Sequence, residues 1–442
     1  MSYGLIIFLL ALSTRLLNLL LQDLNIESYI FEDQVMYWEW SLKRAYLSGS
    51  EISNTLLTER MPGSFLYFEL LQWITNKNLF IILFIQAILD SFTCVIISNC
   101  AYLINYKYKL YTGLFAAFSP LLIIISAQVL SDSLFLFTFT SSLYFLLKYF
   151  KFNFSNYYIV LSGLFLGLST FTRASTFPLI FLSLPIIYFV MKSFKFKFSK
   201  ISLALGLFVI VALFPVSNRL FDNIFYNNSF SLTSQTGSHA AYWMVPGVLT
   251  ISENIDRDTA VNIVNKKIED FGGLTTNPYS DSNILLNVSI NILSDQNILH
   301  IAYAWLRASS VNTIVSPILI DNRVRNLKHT SFANEGNINN WLTSIFLNKN
   351  YLDYRNIIIV ASILSLISII LFIMGSYILF RNDFILGVLA FLIIIYFCLI
   401  TGPTLSPKYC IPYAPIIFYL QAIALEKLLS FKKQSKYAKN YK

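Results

Sequence analysis

Glu32 and Asp33 stand side by side just past the first apolar run, in Ile30-Phe31-Glu32-Asp33-Gln34-Val35-Met36-Tyr37-Trp38-Glu39-Trp40. A carboxylate at the edge of a water-poor cleft is suited to take a proton from an attacking hydroxyl or amine. Asp33 is therefore the candidate general base, with Glu32 grouped beside it as catalytic. Tyr37 lies four residues on and on a helix shares a face with Asp33, where it can position a substrate. The plainer reading is that Glu32-Asp33 caps a helix over 34–47.

Four further segments carry charge in places that call for a reason. In Glu59-Arg60-Met61-Pro62-Gly63-Ser64 the Pro-Gly pair marks a turn opening a helix. A free helix start beside Arg60 is an anion site; the alternative is an arginine reaching lipid headgroups. Asp132, in Ser131-Asp132-Ser133, falls in a short link between two apolar runs. It could bind a divalent ion, orient an acceptor, pair with an arginine, or cap the next helix. Arg173 lies in a tight turn between two further runs, where an unpaired charge is costly. It is expected to face the Asp33 cleft, as a phosphate ligand or as a carboxylate's partner. Lys408-Tyr409 opens the last apolar run beside proline-bent backbone (Pro407, Pro412, Pro415) and can reach a lipid phosphate or snorkel to the surface. Two more polar residues sit inside apolar runs. Asp90 is expected to bond Gln86, one turn earlier, and Arg15 is read as structural.

The elements that must position these residues are set by composition. The 442 residues are 56% hydrophobic and 12% charged, with a mean hydropathy of +0.61. Soluble domains carry about 25% charged residues, so the expected fold class is an all-α polytopic membrane protein. About ten transmembrane helices are expected, at 3–22, 80–104, 110–129, 133–150, 157–172, 174–191, 200–216, 355–379, 384–401 and 410–428. The first contains Arg15 and lacks a small-residue cleavage site, so it is read as a retained span rather than a signal peptide. Lysines and arginines follow every second span. With those links cytoplasmic, both termini are inside and the other links are external. The apolar piece Ser64–Trp73 is half a bilayer thick and is expected to be an external juxtamembrane or re-entrant helix.

This arrangement predicts a transmembrane core over 1–216 with an external catalytic loop at 23–79, and an extracytoplasmic lobe over 217–354. It adds C-terminal spans over 355–428 and a basic cytoplasmic tail over 429–442. Asp258–Phe271 has the pattern of an amphipathic helix within that lobe. The net charge of +9 reads as membrane topology rather than nucleic-acid binding. The four cysteines (Cys94, Cys100, Cys398, Cys410) lie in or beside apolar runs, so no disulfide is expected in the long polar stretch. His239, His300 and His329 lack metal spacing. No phosphate-binding glycine loop or Gly-x-Ser-x-Gly elbow is present, which argues against an ATP-driven pump or a hydrolase.

In order and spacing these residues resemble the GT-C superfamily of polytopic glycosyltransferases, the type of protein O-mannosyltransferases and lipid A aminoarabinose transferases. The resemblance runs from Arg15-Leu16-Leu17 through Glu32-Asp33 to Tyr37, then Arg60 to Gly63. It continues through Gln86 to Asp90, Ala117-Phe118-Ser119-Pro120, Ser131-Asp132, Gly163 to Gly167 before Arg173, and Lys408-Tyr409 with Pro412 and Pro415. The lobe 217–354 lies outside it. Met61-Pro62 replaces the family's frequent Pro-Pro, and Lys408 stands where an arginine is common.

The resemblance implies a glycosyltransferase that moves a sugar from a polyprenyl-phosphate donor to a lipid, glycan or protein acceptor. The reaction would run with inversion at the outer face of a membrane, expected to be a bacterial inner membrane. Asp33 would be the base, with Glu32 and Asp132 beside it. Arg60, Arg173, Lys408 and Tyr409 would hold the donor phosphate, and the lobe would recognise the acceptor. Membrane lipids are expected partners and nucleic acid is not. A divalent metal is possible and otherwise no cofactor is implied. Two alternatives stay open: a lipid-linked sugar polymerase or ligase using Arg307, Arg323 and Arg325, and a polytopic transporter or flippase, which needs midplane charges and symmetric halves.

Overall fold

Every regular element is helical among the residues that the computed structural model describes, which are 3–42, 58–330 and 338–440. Helices appear at each of the ten expected places. Eight are long and apolar enough to cross a membrane: Tyr3–Leu20, Leu79–Ile104, Asp132–Lys151, Ala174–Ser193, Phe198–Asn227, Lys349–Asn382, Phe384–Thr401 and Pro407–Ser430. The chain is a multi-pass integral membrane protein. Asn156–Thr172, the fifth expected span, is a helix of 17 residues. The straight span expected at 110–129 is instead a bent pair, Tyr106–Ala117 and Pro120–Ser126, turned by 51°. Pro120 has no N–H to continue the ladder and disfavours helical backbone at Ser119, which is extended (φ −65°, ψ 118°).

The second helix of the pair ends at Ser126, and residues 127–131 are irregular backbone inside the protein, where each polar group needs a partner. Three side chains supply them. Gln86 Nε2 donates to the carbonyls of Ser126 at 2.9 Å and Gln128 at 2.7 Å. The Val129 N–H donates to Gln34 Oε1 at 2.9 Å, and the Tyr29 hydroxyl donates to the Ala127 carbonyl. Gln86 is thus occupied with this turn, and the expected Gln86–Asp90 bond is replaced. Asp90 Oδ2 accepts from Arg15 Nε at 2.5 Å. Arg15, 1% exposed, also donates from Nη1 to the Ala11 and Ala117 carbonyls at 3.0 Å. This pair ties the first two spans to the bend of the third, at Ala117.

The helix Pro62–Ile74 starts with proline at its first position. Gly63 lets it dock closely, since a Cβ there would meet the Phe171 carbonyl oxygen at 2.6 Å. Beyond the seventh span the lobe builds its own small core. Ala241, Val245 and Leu249, then Ala260, Val264 and Ile268, then Leu285, Val288 and Ile292 meet from three helices. The predicted amphipathic helix is Arg257–Asp270, capped by Asp256. The helix expected at 34–47 is Asp33–Leu42, its last five expected positions lying outside the described residues.

Candidate active site

Four helix ends converge on one small group of charges. Asp33 opens the Asp33–Leu42 helix, its carboxylate 51% exposed and its Oδ2 3.3 Å from Lys408 Nζ. Lys408 sits on the short helix Pro407–Tyr413. Its ammonium also feels the fields of Asp132 and Tyr409 and the repulsion of Arg173. Asp132 begins the fourth span; its carboxylate is 2% exposed and its Oδ2 accepts from Arg173 Nη2 at 2.8 Å. Arg173 occupies the extended junction after Asn156–Thr172. It donates from Nε to Ser131 Oγ at 2.9 Å and lies over the Phe135 ring, 5.3 Å from its centroid. The Tyr37 hydroxyl donates to the same Ser131 Oγ at 3.4 Å, its ring packed on Phe65 and Phe68.

Asp33, Tyr37, Asp132, Arg173, Lys408 and Tyr409 therefore share one site, with Ser131 as the bridge. The two carboxylates differ. Asp132 is buried and paired through one oxygen, while its Oδ1 has no protein partner. Asp33 is half exposed and open to solvent on one side.

Glu32 turns away from this group. Its backbone is left-handed (φ +50°), and its carboxylate grips Arg325, with Oε1 2.8 Å from Nη2 and Oε2 3.3 Å from Nη1. The Arg325 hydrogen bond holds the Glu32 carboxyl below the usual carboxylate range, against the opposing effect of burial. Arg60 stands apart as well. Among the described residues it makes no ion pair, and it borders a cavity of about 260 Å³ with Phe65, Phe171, Arg219 and Asp222. Phe65 is the wall shared with Tyr37, so the cavity adjoins the Asp33 group without an ionic contact to it. Burial, reinforced by Arg60, pushes the nearby His239 imidazole below its ordinary value.

No three His, Cys, Asp or Glu side chains group to hold a metal ion among the described residues. Asp33 and Asp132 each face a cation. The lobe reaches the site through the 401–406 turn. Asn312 donates from Nδ2 to the Thr404 carbonyl at 2.9 Å and accepts the Ser406 N–H at 2.7 Å, while His239 Nε2 lies 3.0 Å from the Thr401 carbonyl. Ser131, Arg325 and Asn312 are the contributors that the sequence reading did not single out for these roles. Ser131 was visible beside Asp132; the other two act across separations that no local pattern signals.

No protein-family model and no curated protein matches the chain. Among solved structures, it superposes on the archaeal oligosaccharyltransferase AglB from Archaeoglobus fulgidus, in complex with an inhibitory peptide and a dolichol-phosphate. The match covers 100% of this chain and 52% of that one, with a TM-score of 0.53 and 13% identity. The chain shares the fold of the part of AglB that it matches. It spans about half the length of the AglB chain. ArnT from Cupriavidus metallidurans in the apo state also aligns, at 13% identity over 96% of this chain and 76% of that one, with a TM-score of only 0.39. In this fold the charged group lies where the ends of the bent third span, the fourth span, the fifth helix and the last span come together.

Proposed function

We propose that the chain is a membrane glycosyltransferase. It would transfer a sugar from a polyprenyl-phosphate donor to an acceptor at the extracytoplasmic face, with inversion at the anomeric carbon. The observation that carries the reading is the meeting of Asp33 and Lys408 at 3.3 Å beside the Asp132–Arg173 pair at 2.8 Å. A phosphate leaving group needs cations placed in advance where charge develops, usually the largest catalytic contribution. Lys408 and Arg173 supply two, with the Tyr409 hydroxyl next to them. The acceptor needs a base it can approach, and Asp33 is the accessible carboxylate. Asp132, buried on Arg173, orients that guanidinium and would leave Oδ1 to the acceptor or the sugar. Arg60 would flank the donor from the adjoining cavity, and the lobe that grips the 401–406 turn would select the acceptor.

The donor class is supported by the fold shared with AglB and by the dolichol-phosphate in the AglB complex. Of the three arginines behind the polymerase or ligase reading, Arg323 is paired with Asp321 at 2.6 Å and Arg325 with Glu32 at 2.8 Å, which leaves that reading Arg307 alone. The test is transfer from synthetic polyprenyl-phosphate sugars by membranes carrying the protein. Asp33→Asn is expected to lower turnover by about 10²–10⁴-fold with donor binding retained. Full turnover by Asp33→Asn would refute the assignment.

A further inference from the structure

Away from the Asp33 group, a second cavity of about 160 Å³ opens between the lobe and the 403–405 turn. Its wall brings together two guanidinium groups, Arg257 and Arg307, with the hydroxyls of Thr250 and Thr404 and the indole of Trp243. Arg257 is held in advance. Its guanidinium lies over the Trp243 ring, 4.2 Å from the centroid, and Nη2 donates to the Tyr242 carbonyl at 2.9 Å. Its other nitrogens have no protein acceptor among the described residues. Arg307 is exposed and has no carboxylate partner among them either. Of the carboxylates flanking Arg257 in the chain, Asp256 and Asp258, neither pairs with it among the described residues; Asp256 accepts the N–H of Thr259 at 2.9 Å and its hydroxyl at 2.7 Å. Two cations without counter-charge at one cavity are a demand for an oxyanion, and guanidinium forks match phosphate.

The element that carries Arg307 says where that phosphate comes from. On Ile298–Ile314, Ala304, Ala308 and Asn312 are buried, at a spacing that places them on one face. Leu299, Tyr303 and Leu306 are 70%, 58% and 67% exposed and form the opposite stripe. Trp305 Nε1 donates to the Leu399 carbonyl at 3.3 Å, at the end of the Phe384–Thr401 span. The helix thus lies against the ends of the spans with an apolar stripe outward, the build of an interfacial helix. Arg307 follows Leu306 at the border of that stripe, the level at which lipid phosphates lie.

We propose that this cavity binds the phosphate of an anionic membrane lipid. The site is separate from the donor site and its existence does not rest on the transferase reading. Gly247 closes one wall: a Cβ there would meet the Pro403 carbonyl oxygen at 2.9 Å. A headgroup seated against Thr404 therefore braces the turn that leads to Lys408. Leu405 and Lys408 are three residues apart, so no more than about 11 Å of chain separates them.

The test follows the unfolding temperature of the purified full-length protein in mild detergent. Short-chain phosphatidic acid, short-chain phosphatidylcholine and inorganic phosphate are titrated separately. Phosphatidic acid is expected to raise the unfolding temperature, while the other two leave it unchanged at the same concentration. Arg307→Gln, an exposed change that leaves the lobe core intact, is expected to raise the required phosphatidic acid concentration about tenfold or more. Arg257→Gln is expected to act likewise, and Lys408→Ala to leave the response intact. An equal response to phosphatidylcholine or to inorganic phosphate overturns the anionic-lipid assignment. So does a response that survives Arg307→Gln, or one lost in Lys408→Ala alone, which would place the lipid at the Asp33 group.

Discussion

Asp33 and Lys408 lie 375 positions apart in the chain and 3.3 Å apart in space. Both are partly solvated, so their attraction contributes little to folding; exposed pairs are worth about 0–1 kcal/mol. Their worth should appear in chemistry. Lys408→Ala is expected to change unfolding free energy by less than about 1 kcal/mol and to lower transfer by about 10²–10³-fold. Thermal unfolding and transfer rate measured on one preparation check this. A parallel fall in both would make the lysine a structural strut.

Asp132 should behave in the opposite way. Its carboxylate is buried on Arg173, and removing one partner strands the other charge at a cost of about 3–5 kcal/mol. Asp132→Ala is expected to lower both stability and turnover. A double-mutant cycle with Arg173→Gln should return a coupling of about 0.5–3 kcal/mol. A coupling near zero would mean that the two groups act independently.

The Arg15–Asp90 pair gives a prediction without any catalytic content. Asp90→Leu or Arg15→Met alone is expected to destabilise the fold by about 3–5 kcal/mol. The double variant Arg15→Met with Asp90→Leu should recover most of that loss, because no charge is left unmatched among the spans. Denaturation of the three variants decides it, and additive losses would sink the idea.

Glu32 and Arg325 set a pH dependence whose sign is fixed. The folded-state pKa of Glu32 is depressed, chiefly by its hydrogen bond from Arg325. Its stabilising contribution is therefore present above the unfolded value of about 4.3 and fades as pH falls through the lower folded value. The stability difference between the native protein and Glu32→Gln is expected to be visible at neutral pH and to vanish in strong acid. In an Arg325→Gln background that pH dependence should flatten. A difference that grows on acidification would contradict the pairing.

Asp33, Asp132, Arg173 and Lys408 could be picked from the sequence for one reason: charge beside an apolar run is costly unless it is paired or used. The same logic placed the helices, because apolar length translates directly into span length. What stayed hidden was partner choice at a distance. Asp90 was matched to Gln86 because a one-turn spacing is visible along a helix, whereas its true partner Arg15 lies 75 positions away. Glu32 was grouped with Asp33 because they are adjacent, yet a left-handed residue at Glu32 turns it toward Arg325. The kink at Pro120 was written in the chain, but its consequence, a buried turn needing Gln34 and Gln86, exists only in three dimensions.

Asn312 fastens both the carbonyl of Thr404 and the N–H of Ser406, so the lobe is no detachable accessory. Grafting a foreign lobe in its place would leave the stretch ahead of Lys408 unanchored, even with every proposed catalytic side chain intact. Chimeras made to redirect acceptor choice will need to carry an amide to that same position, and their failures should first be sought in the loss of this clasp.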